Sequence, residues 1–389
     1  MHFVVLFAAA LLCEISSNIP VGSLPLALVS EGASESQTAI AMGSGMFAAL
    51  IVSLPIGILT DRVGKLPVLR AAAFCSVLIM LFMAFTHGIV AGCFQMALRS
   101  AALCAYMTAQ FAYASTMFSK ERAVSAVGAM GILGNVAFAA GPAFGVWLWQ
   151  HGVHREQFMY ASVLNLIAAA MVMSLPGKFD VKPTRPPRIR VFIRPSWVPA
   201  MIFTACCTLQ GGVNGALAVL EFQDRGIANG ALIFSASALT TVAFRYPAGR
   251  LVERYGARAI AIPTAIVQCL GCILAAQAHD PTLVIIAGSF LGMAWSAVVP
   301  VGIAIMFENS SHRTRGTAMG SYNLAMGGGA ALGALIAAVV TAMNMGYTQA
   351  ILICAGLPCL ALIYLFLGPR KKRRPNLNPN PTQAPTNEL

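Results

Sequence analysis

Residues 57–65 read Gly-Ile-Leu-Thr-Asp-Arg-Val-Gly-Lys, and residues 249–258 read Gly-Arg-Leu-Val-Glu-Arg-Tyr-Gly-Ala-Arg. Glycine, leucine, an acid, arginine and glycine fall at the same offsets in the two copies, which lie 192 positions apart. Each copy is predicted to lie in a short basic loop between two long apolar runs. A repeat that spans half of the chain indicates that the protein consists of two related halves.

The composition of the 389-residue chain indicates a membrane protein. Hydrophobic residues make up 58% of the chain and charged residues only 10%, whereas a soluble domain carries about 25% charged residues. About 20 apolar residues cross a bilayer as a helix, and these runs are too long and too continuous for the strands of a membrane barrel. The predicted fold is therefore all-α, with twelve transmembrane helices at 3–28, 38–59, 67–86, 89–117, 124–149, 157–176, 197–221, 229–249, 259–278, 282–306, 316–342 and 346–368.

The basic residues are distributed unequally between the two sides of these helices. Loops on one side carry 21 lysines and arginines, and loops on the other side carry only Arg155 and Arg225. Basic loops remain on the cytoplasmic side of a membrane, so both termini are expected to be cytoplasmic. The net charge of +12 is explained by topology, and no nucleic-acid partner is expected.

A proline-rich basic stretch divides the chain into six spans and six spans. Proline and like charges keep such a stretch from packing as a core, so it is predicted to be a cytoplasmic linker. The end of the chain is polar and rich in proline and asparagine, which predicts disorder. The predicted organisation is two pseudo-symmetric six-helix bundles, a linker and a tail: 1–177, 178–196, 197–369 and 370–389.

The two repeated segments, in a chain with twelve spans and a central basic linker, resemble the signature loop of the major facilitator superfamily. The similarity covers nearly the whole chain, although Leu66 stands where the family usually has a second basic residue. The fifth span, with Gly141-Pro142 and Gly145, looks like the motif of proton antiporters, and the tenth and eleventh spans look like bacterial sugar-efflux and drug-efflux permeases. The resemblance implies a monomeric secondary transporter of the bacterial inner membrane that needs no cofactor.

The resemblance also implies a gate on the cytoplasmic side. Asp61 would meet the positive end of the eleventh helix near Arg315, and Gly57 and Gly64 would allow close helix approach and a tight turn. The segment would latch the halves together when the cavity faces outward; the alternative is a charged loop that only sets topology. The gate residues are Gly57, Asp61, Arg62, Gly64, Lys65, Gly249, Glu253, Arg254, Gly256 and Arg258.

Two charges inside spans are candidates for proton coupling. Glu14 follows ten uncharged residues in the first span, and an acid at that depth costs about 2.5–3.5 kcal/mol on insertion scales. Arg99 in the fourth span is its natural counter-charge, although the sequence does not show whether the two meet. The alternatives are a structural hydrogen bond from Glu14 to Asn18 and a packed structural ion pair at Arg99.

Other polar residues inside spans could line a substrate cavity, or could be packing contacts between helices. Gln210 and Asn214 share one helix face, and neighbouring glycines favour a bent or broken helix there. Arg245 is expected about one turn from the cytoplasmic edge, where it could snorkel to water. The cavity candidates are Asn18, Gln110, Asn135, Gln210, Asn214, Arg245, Tyr322 and Asn323, and Gly141, Pro142 and Gly145 are expected to make a slim, kinked helix face.

These features favour a proton-driven exporter of a small organic molecule, with protons as the coupling ion. A nutrient importer that works by symport shares every architectural feature and remains open. Cys269-x-x-Cys272, the Cys206-Cys207 pair and nineteen methionines leave a Cu(I) transporter as a weaker alternative. The chain has no phosphate-binding loop of the ATPase type and no grouping of nucleophile, base and acid, so neither ATP-driven transport nor an enzyme is expected.

Overall fold

The computed structural model describes residues 2–118, 120–180, 194–308 and 315–367. In these ranges the chain forms helices and turns and no β-strand. The α-helices are α1 (His2–Ser30), α2 (Glu35–Val63), α3 (Lys65–Phe85), α4 (Gly88–Thr116), α5 (Lys120–Gln150), α6 (Glu156–Met173), α7 (Val198–Val213), α8 (Val219–Asp224), α9 (Leu232–Tyr255), α10 (Ala257–Ala276), α11 (Pro281–Glu308), α12 (Arg315–Ala342) and α13 (Tyr347–Leu367).

The predicted twelve-span, all-α fold is confirmed. A π-helical turn, Asn214–Ala218, joins α7 to α8, so that Pro195–Asp224 forms one span. Within the described ranges, eleven helical stretches are both long and apolar enough to cross a membrane. The twelfth span is α9, which carries four charged residues but has 24 residues and is therefore about 36 Å long.

The two halves repeat one packing scheme. In the first half α1 packs against α5 and α6, α2 against α4, and α3 against α4 and α6. In the second half α7 packs against α12 and α13, α9 against α11, and α10 against α11 and α13. Each pair in one half has its counterpart in the other, which is the internal symmetry that the repeated segment predicts.

The halves contact each other through α2 with α12 and α5 with α9. We name the membrane side that bears Gly64 and Gly256 the linker side, because the linker also begins and ends there, and the opposite side the far side. Hydrogen bonds between the halves lie toward the far side: Ser36 Oγ donates to Ala338 O at 2.9 Å, Ser235 Oγ to Ala139 O at 2.5 Å and Asn229 Nδ2 to Ala143 O at 3.1 Å.

On the linker side, α5 and α9 are separated. A cleft of about 560 Å³ lies between them, and we name it the α5–α9 cleft. Tyr246, which lines it, is 69% exposed. The structure is therefore closed on the far side and open on the linker side.

The repeated segments are helical and not loops, which corrects the prediction. Helix α2 continues to Val63 and α9 to Tyr255. Only Gly64 and Gly256 leave the helix, with φ of 121° and 87°, and their backbone N–H groups close the last helical turns. Glycine adopts positive φ without a steric penalty, so each helix ends at its glycine and the residues before it keep helical geometry.

The predicted linker and tail lie mostly outside the described residues. Residues 181–193 of the linker and residues 368–389, which include the tail, lie outside the described ranges. The last helix of the first half ends at Met173, and one 3₁₀ turn, Gly177–Phe179, follows it. The three domain boundaries remain predictions.

Candidate functional site

Glu14 lies at the centre of a polar cluster inside the first half. It is the thirteenth of 29 residues in α1 and is only 2% exposed. Gln110 of α4 donates a hydrogen bond from Nε2 to Glu14 Oε1. The other carboxylate oxygen, Glu14 Oε2, packs against Gly134 of α5, where an added Cβ would lie only 3.1 Å from it. The carboxylate is thus enclosed by three helices, and the one side chain that hydrogen-bonds to it in the described structure is a neutral amide.

Arg99, the second predicted coupling residue, does not form an ion pair with Glu14. The guanidinium is buried on α4 and donates from Nε to Ser17 O, from Nη2 to Asn18 Oδ1 at 3.0 Å and from Nη1 to Ser100 Oγ at 3.3 Å. Asn18 Nδ2 in turn donates to Glu14 O at 2.8 Å. Arg99 therefore binds α1 one helical turn beyond Glu14, and its partners in the described chain are neutral.

Two buried polar atoms near Glu14 have no hydrogen-bond partner among the described residues. They are the Tyr106 hydroxyl and Gln110 Oε1. An unsatisfied buried polar atom costs about 1–3 kcal/mol. Both atoms are therefore available to a water molecule or to a proton donor beside the carboxylate.

The two glycines and the proline of the α5 segment pack against α1, although Ala143 between them accepts a hydrogen bond from the other half. A Cβ added to Gly141 would lie 2.6 Å from Asn18 Cβ, and one added to Gly145 would lie 2.4 Å from Ile19 O. Pro142 O would lie 2.1 Å from a Cβ on Gly22. The slim face thus serves helix packing inside the first half, and a kink at Pro142 remains a prediction.

In the second half, Gln210 and Asn214 are bound to each other. Asn214 Nδ2 donates to Gln210 Oε1 at 2.8 Å, and the Tyr347 hydroxyl donates to Asn214 Oδ1 at 2.7 Å. Asn214 begins the π-helical turn, and both residues are less than 10% exposed. These two predicted cavity residues tie the first span of the second half to its last helix, α13, instead of facing an open cavity.

Tyr322 of α12, another predicted cavity residue, packs against α11 and is not among the residues that line the α5–α9 cleft. Tyr322 is 2% exposed, and its hydroxyl has no partner among the described residues. A Cβ on Gly302 of α11 would lie 2.5 Å from the Tyr322 ring. The ring therefore packs where any side chain larger than that of glycine at position 302 would clash with it. Asn323, the next residue on α12, is exposed.

The α5–α9 cleft contains predicted residues from both halves. Asn135 is the sixteenth of 31 residues in α5, and Arg245 lies ten residues before the end of α9, which is about 15 Å from the linker side. Arg245 is thus near mid-helix, and its expected distance of one turn from the membrane edge stays a prediction. The lining residues are Ile132, Asn135, Val242, Arg245, Tyr246, Gly249, Arg250 and Glu253.

The gate residues surround the linker-side opening. Gly249 and Glu253 line the α5–α9 cleft. A Cβ added to Gly57 would meet no atom within 4 Å, so the close helix approach expected at Gly57 is absent while this side is open. The partner expected for Asp61 near Arg315 lies outside the described side chains. Arg62 and Arg254 are exposed, and Arg258 is partly buried.

Sequence reasoning missed Asp180, which binds the signature segment. Asp180 Oδ1 accepts a hydrogen bond from Lys65 N at 2.7 Å, at the first residue of α3. The chain before Asp180 is held to α4, because the Tyr113 hydroxyl donates to Pro176 O at 2.7 Å and Thr116 Oγ1 donates to Phe179 O at 2.8 Å. The one available signal was that Asp180 is the lone acid in the basic stretch 178–194.

A second missed cluster closes the far-side end of the first half. Glu31, which follows α1, accepts hydrogen bonds from Arg155, from the Gly88 backbone at 2.7 Å and from His87 Nδ1 at 3.1 Å. Partial burial acts to raise the pKa of the Glu31 carboxyl, but the hydrogen bonds outweigh it and lower the pKa from its usual value. Arg155 also donates to Met83 O at 2.9 Å, so it ties the loop after α1 to the last turn of α3.

The cysteines of the copper alternative are not grouped with other ligands into a set of three in the described ranges. The Cys269 thiol contacts Cys359 of α13, while Cys272 is fully buried. Across the described ranges, no three histidine, cysteine, aspartate or glutamate side chains are placed to hold one ion.

Solved structures of membrane transporters have the same fold. A mutant of the nucleoside transporter NupG is 15% identical, with a TM-score of 0.82 over 94% of this chain and 99% of that chain. A bacterial homolog of the human lysosomal transporter Spinster, inward-facing and occupied, is 13% identical, with a TM-score of 0.73 over 94% and 95%. A mutant of the peptide transporter POT in complex with sulfate is 13% identical, with a TM-score of 0.77 over 94% and 93%.

A search of curated protein sequences finds no match. The family model for the Major Facilitator Superfamily matches residues 6–231 and 222–388, which together cover nearly the whole chain. The match agrees with the twelve helices, the repeated packing scheme and the cleft between the halves. The chain therefore belongs to the major facilitator superfamily and is a multi-pass secondary transporter of small molecules, not an enzyme.

Proposed function

We propose that this protein is a proton-coupled exporter of a small organic molecule in the bacterial cytoplasmic membrane. Glu14 is the proton-carrying residue, and the linker side, which carries the basic loops, faces the cytoplasm. The observation that carries the proposal is the setting of Glu14. Its carboxylate is buried at mid-helix, and its side-chain partner in the described structure is the neutral amide of Gln110.

The energetics of this setting support proton coupling. A carboxylate in apolar surroundings is costly to keep charged unless a cation neutralises it. Arg99 donates its hydrogen bonds to neutral groups of α1, so it does not neutralise the charge of Glu14. Glu14 is therefore suited to bind a proton on one side of the membrane and release it on the other. The membrane potential adds about 2.3 kcal/mol per charge per 100 mV.

Alternating access requires that the far-side contacts break when the linker side closes. The hydrogen bonds of Ser36, Asn229 and Ser235 to the other half are each made to a backbone carbonyl. A hydrogen bond of this kind contributes about 0.5–1.5 kcal/mol, so a few of them can be exchanged for contacts on the other side. The gate residues, with Asp61 as the latch to α12, supply those contacts in the closed state.

Export is supported by the similarity of Gly141-Pro142 and Gly145 to the antiporter motif. Import by proton symport remains the alternative, because it uses the same cavity and the same carboxylate. The two differ in the relative direction of protons and substrate. The pH gradient in a transport assay therefore distinguishes them.

The proposal is tested in proteoliposomes with an imposed pH gradient and a pH-sensitive dye inside. Nucleosides, small peptides and organic acids are added in turn. We expect one class to move against its gradient, opposite to the proton flux, and an uncoupler to abolish this movement. Proton flux in the same direction as the substrate would support symport import.

Substitution of Glu14 tests the role of the carboxylate itself. Glu14→Gln is expected to abolish proton-driven accumulation while substrate exchange across the membrane without a gradient continues. Glu156→Gln, at an exposed acid that begins α6, is the matched control and is expected to retain proton-driven transport. Proton-driven accumulation at the wild-type rate in Glu14→Gln would refute the proposal.

A further inference from the structure

The α5–α9 cleft has the size and location of a substrate site. Its volume is about 560 Å³, and cavities of roughly 300–1,000 Å³ hold small organic ligands. It extends from mid-helix, at Asn135 and Arg245, toward the linker side, at Glu253. A molecule that enters from the linker side would thus reach the middle of the membrane between the two halves.

Arg245 is an uncompensated cation in this cleft. In the described part of the chain no hydrogen bond or ion pair reaches its guanidinium. Arg245 lies near the middle of α9, and its exposed side chain lines the cleft. Arginine keeps its charge under all physiological conditions, so it needs an anion or water in this position.

The other charges of the cleft do not neutralise Arg245. Glu253 lies eight residues further along α9, which is about 12 Å along the helix axis. Arg250 is a second cation, and its guanidinium lies over the Tyr246 ring at 5.1 Å. The lining residues therefore carry two positive charges and one negative charge, with the unpaired positive charge deepest.

Asn135 offers a neutral donor from the opposite half. Its Nδ2 donates one hydrogen to Gly131 O at 2.8 Å, and an amide nitrogen carries two hydrogens. The second hydrogen is available to a ligand in the cleft that Asn135 lines. An anion bound by Arg245 and Asn135 would connect the two halves, since α5 belongs to one half and α9 to the other.

The remaining lining residues favour an apolar body on the ligand. Ile132 is 49% exposed and Tyr246 is 69% exposed, and Val242 lies one helical turn before Tyr246 on α9. Aromatic rings such as that of Tyr246 can stack on a ring of the ligand. The cleft thus combines one deep cation with apolar and aromatic walls.

We infer that the substrate is a small organic anion with an apolar or aromatic body, whose carboxylate or related acidic group binds Arg245 with support from Asn135. The guanidinium can bind both oxygens of a carboxylate at once. The inference rests on the proposed transport function and adds its substrate class. A cationic substrate would meet two arginines on entry, and a neutral one would leave Arg245 unpaired.

The test uses three probes of nearly equal shape: 2-naphthoate, 2-naphthamide and 2-naphthylmethylamine. Binding to the purified full-length protein is measured by isothermal titration calorimetry. We expect the anionic naphthoate to bind at least about 10-fold more tightly than the other two, as one charge-assisted hydrogen bond implies. Equal binding of the three probes, tighter binding of the amine, or no binding of naphthoate would overturn the inference.

Variants locate the site. Arg245→Gln is expected to weaken naphthoate binding about 10- to 100-fold, and Arg245→Lys, which keeps the charge, is expected to weaken it less. Arg194→Gln, at an exposed arginine beside Trp197, is the matched control and is expected to bind naphthoate as the wild type does. Size-exclusion profiles show that the variants are folded. Unchanged naphthoate affinity in folded Arg245→Gln would also overturn the inference.

This inference and the proposed function fail separately. Proton-driven transport that depends on Glu14, together with naphthylmethylamine binding as tight as naphthoate binding, would contradict only the substrate class. Naphthoate binding through Arg245, together with transport whose rate does not depend on a pH gradient, would contradict only the proton coupling.

Discussion

The contact between Asp180 and the signature segment predicts that the two equivalent glycines tolerate substitution differently. Gly64 and Gly256 both have positive φ, so alanine at either position brings backbone strain of about 1–3 kcal/mol. A Cβ at Gly64 would also lie 2.5 Å from Asp180 Oδ2, whereas a Cβ at Gly256 would meet no atom within 4 Å. Only Gly64→Ala therefore displaces Asp180.

The extra cost at Gly64 is set by the hydrogen bond that the displaced carboxylate loses. Asp180 Oδ1 accepts from Lys65 N, and a hydrogen bond to a charged group contributes about 1.5–3 kcal/mol. Gly256→Ala is thus expected to destabilise the protein by about 1–3 kcal/mol, and Gly64→Ala by more than this, up to about 6 kcal/mol in total. Because the carboxylate can move, the lost bond is the upper limit of the extra cost.

The assay is equilibrium unfolding in mixed detergent micelles, followed by tryptophan fluorescence, with each glycine variant made alone and together with Asp180→Ala. In the Asp180→Ala background the difference between Gly64→Ala and Gly256→Ala is expected to vanish, because no carboxylate remains to be displaced. Equal costs of the two glycine variants in the wild-type background would refute the reasoning. So would a difference that persists without Asp180.

Other contacts give three further predictions. Gly22→Ala is expected to destabilise the protein by at least about 1–3 kcal/mol, because its Cβ would overlap a backbone carbonyl of α5. Gly131→Ala, whose Cβ would meet no atom within 4 Å, is expected to be neutral or stabilising by up to about 1 kcal/mol. Equal effects of the two variants in chemical unfolding would contradict the packing of α1 on α5. Tyr347→Phe leaves Asn214 Oδ1 without its donor and is expected to cost about 1–3 kcal/mol of stability, while naphthoate affinity stays unchanged. A loss of that affinity would place Asn214 in the binding site instead. The pKa of Glu31 is lowered in the folded protein, so its contribution to stability is present at pH values above its usual pKa of 4.5 and is lost as the pH falls through the lowered pKa. On acidification the melting temperature of Glu31→Gln should therefore fall less than that of the wild type. Identical pH profiles of the two proteins would contradict the Glu31 cluster.

The fold could be predicted from the sequence because a bilayer sets the length of each apolar run. The predicted spans reproduce the helices within a few residues at most ends, and α9 was found although it carries four charges. The largest difference lies at the end of α9, which continues to Tyr255, and α2 likewise continues to Val63. Polar residues at a helix end resemble a loop in composition, and only the positive φ of the following glycine marks the true end.

The polar side chains were harder to predict, because a sequence does not show which residues face each other across helices. Arg99 was singled out correctly as a buried charge, but its partners are the Ser17 carbonyl and the Asn18 and Ser100 side chains. Asp180 was missed since its contact with Lys65 joins positions 115 residues apart. Such contacts depend on the packing of α3 against the end of the first half, which no local pattern records.

The two halves share a framework but differ in chemistry. At the 192-residue offset of the repeat, Glu14 corresponds to Cys206, and Arg245 corresponds to Ser53. The buried acid thus occurs only in the first half, and the unpaired cation of the α5–α9 cleft only in the second. Duplication explains the helices and their packing, while the residues of the proposed site are those in which the halves have diverged.

The central claim is that the halves exchange far-side contacts for linker-side contacts when Glu14 changes its protonation state. Its most direct test is double electron–electron resonance between spin labels on cysteines introduced into a background without native cysteines. One label pair is Val63 with Tyr255 on the linker side, and the other is Glu156 with Asn344 on the far side. We predict that acidification, and Glu14→Gln at neutral pH, shift both distance distributions in opposite directions, one pair approaching while the other separates. Distances that move in the same direction, or that do not respond to either change, would contradict the account.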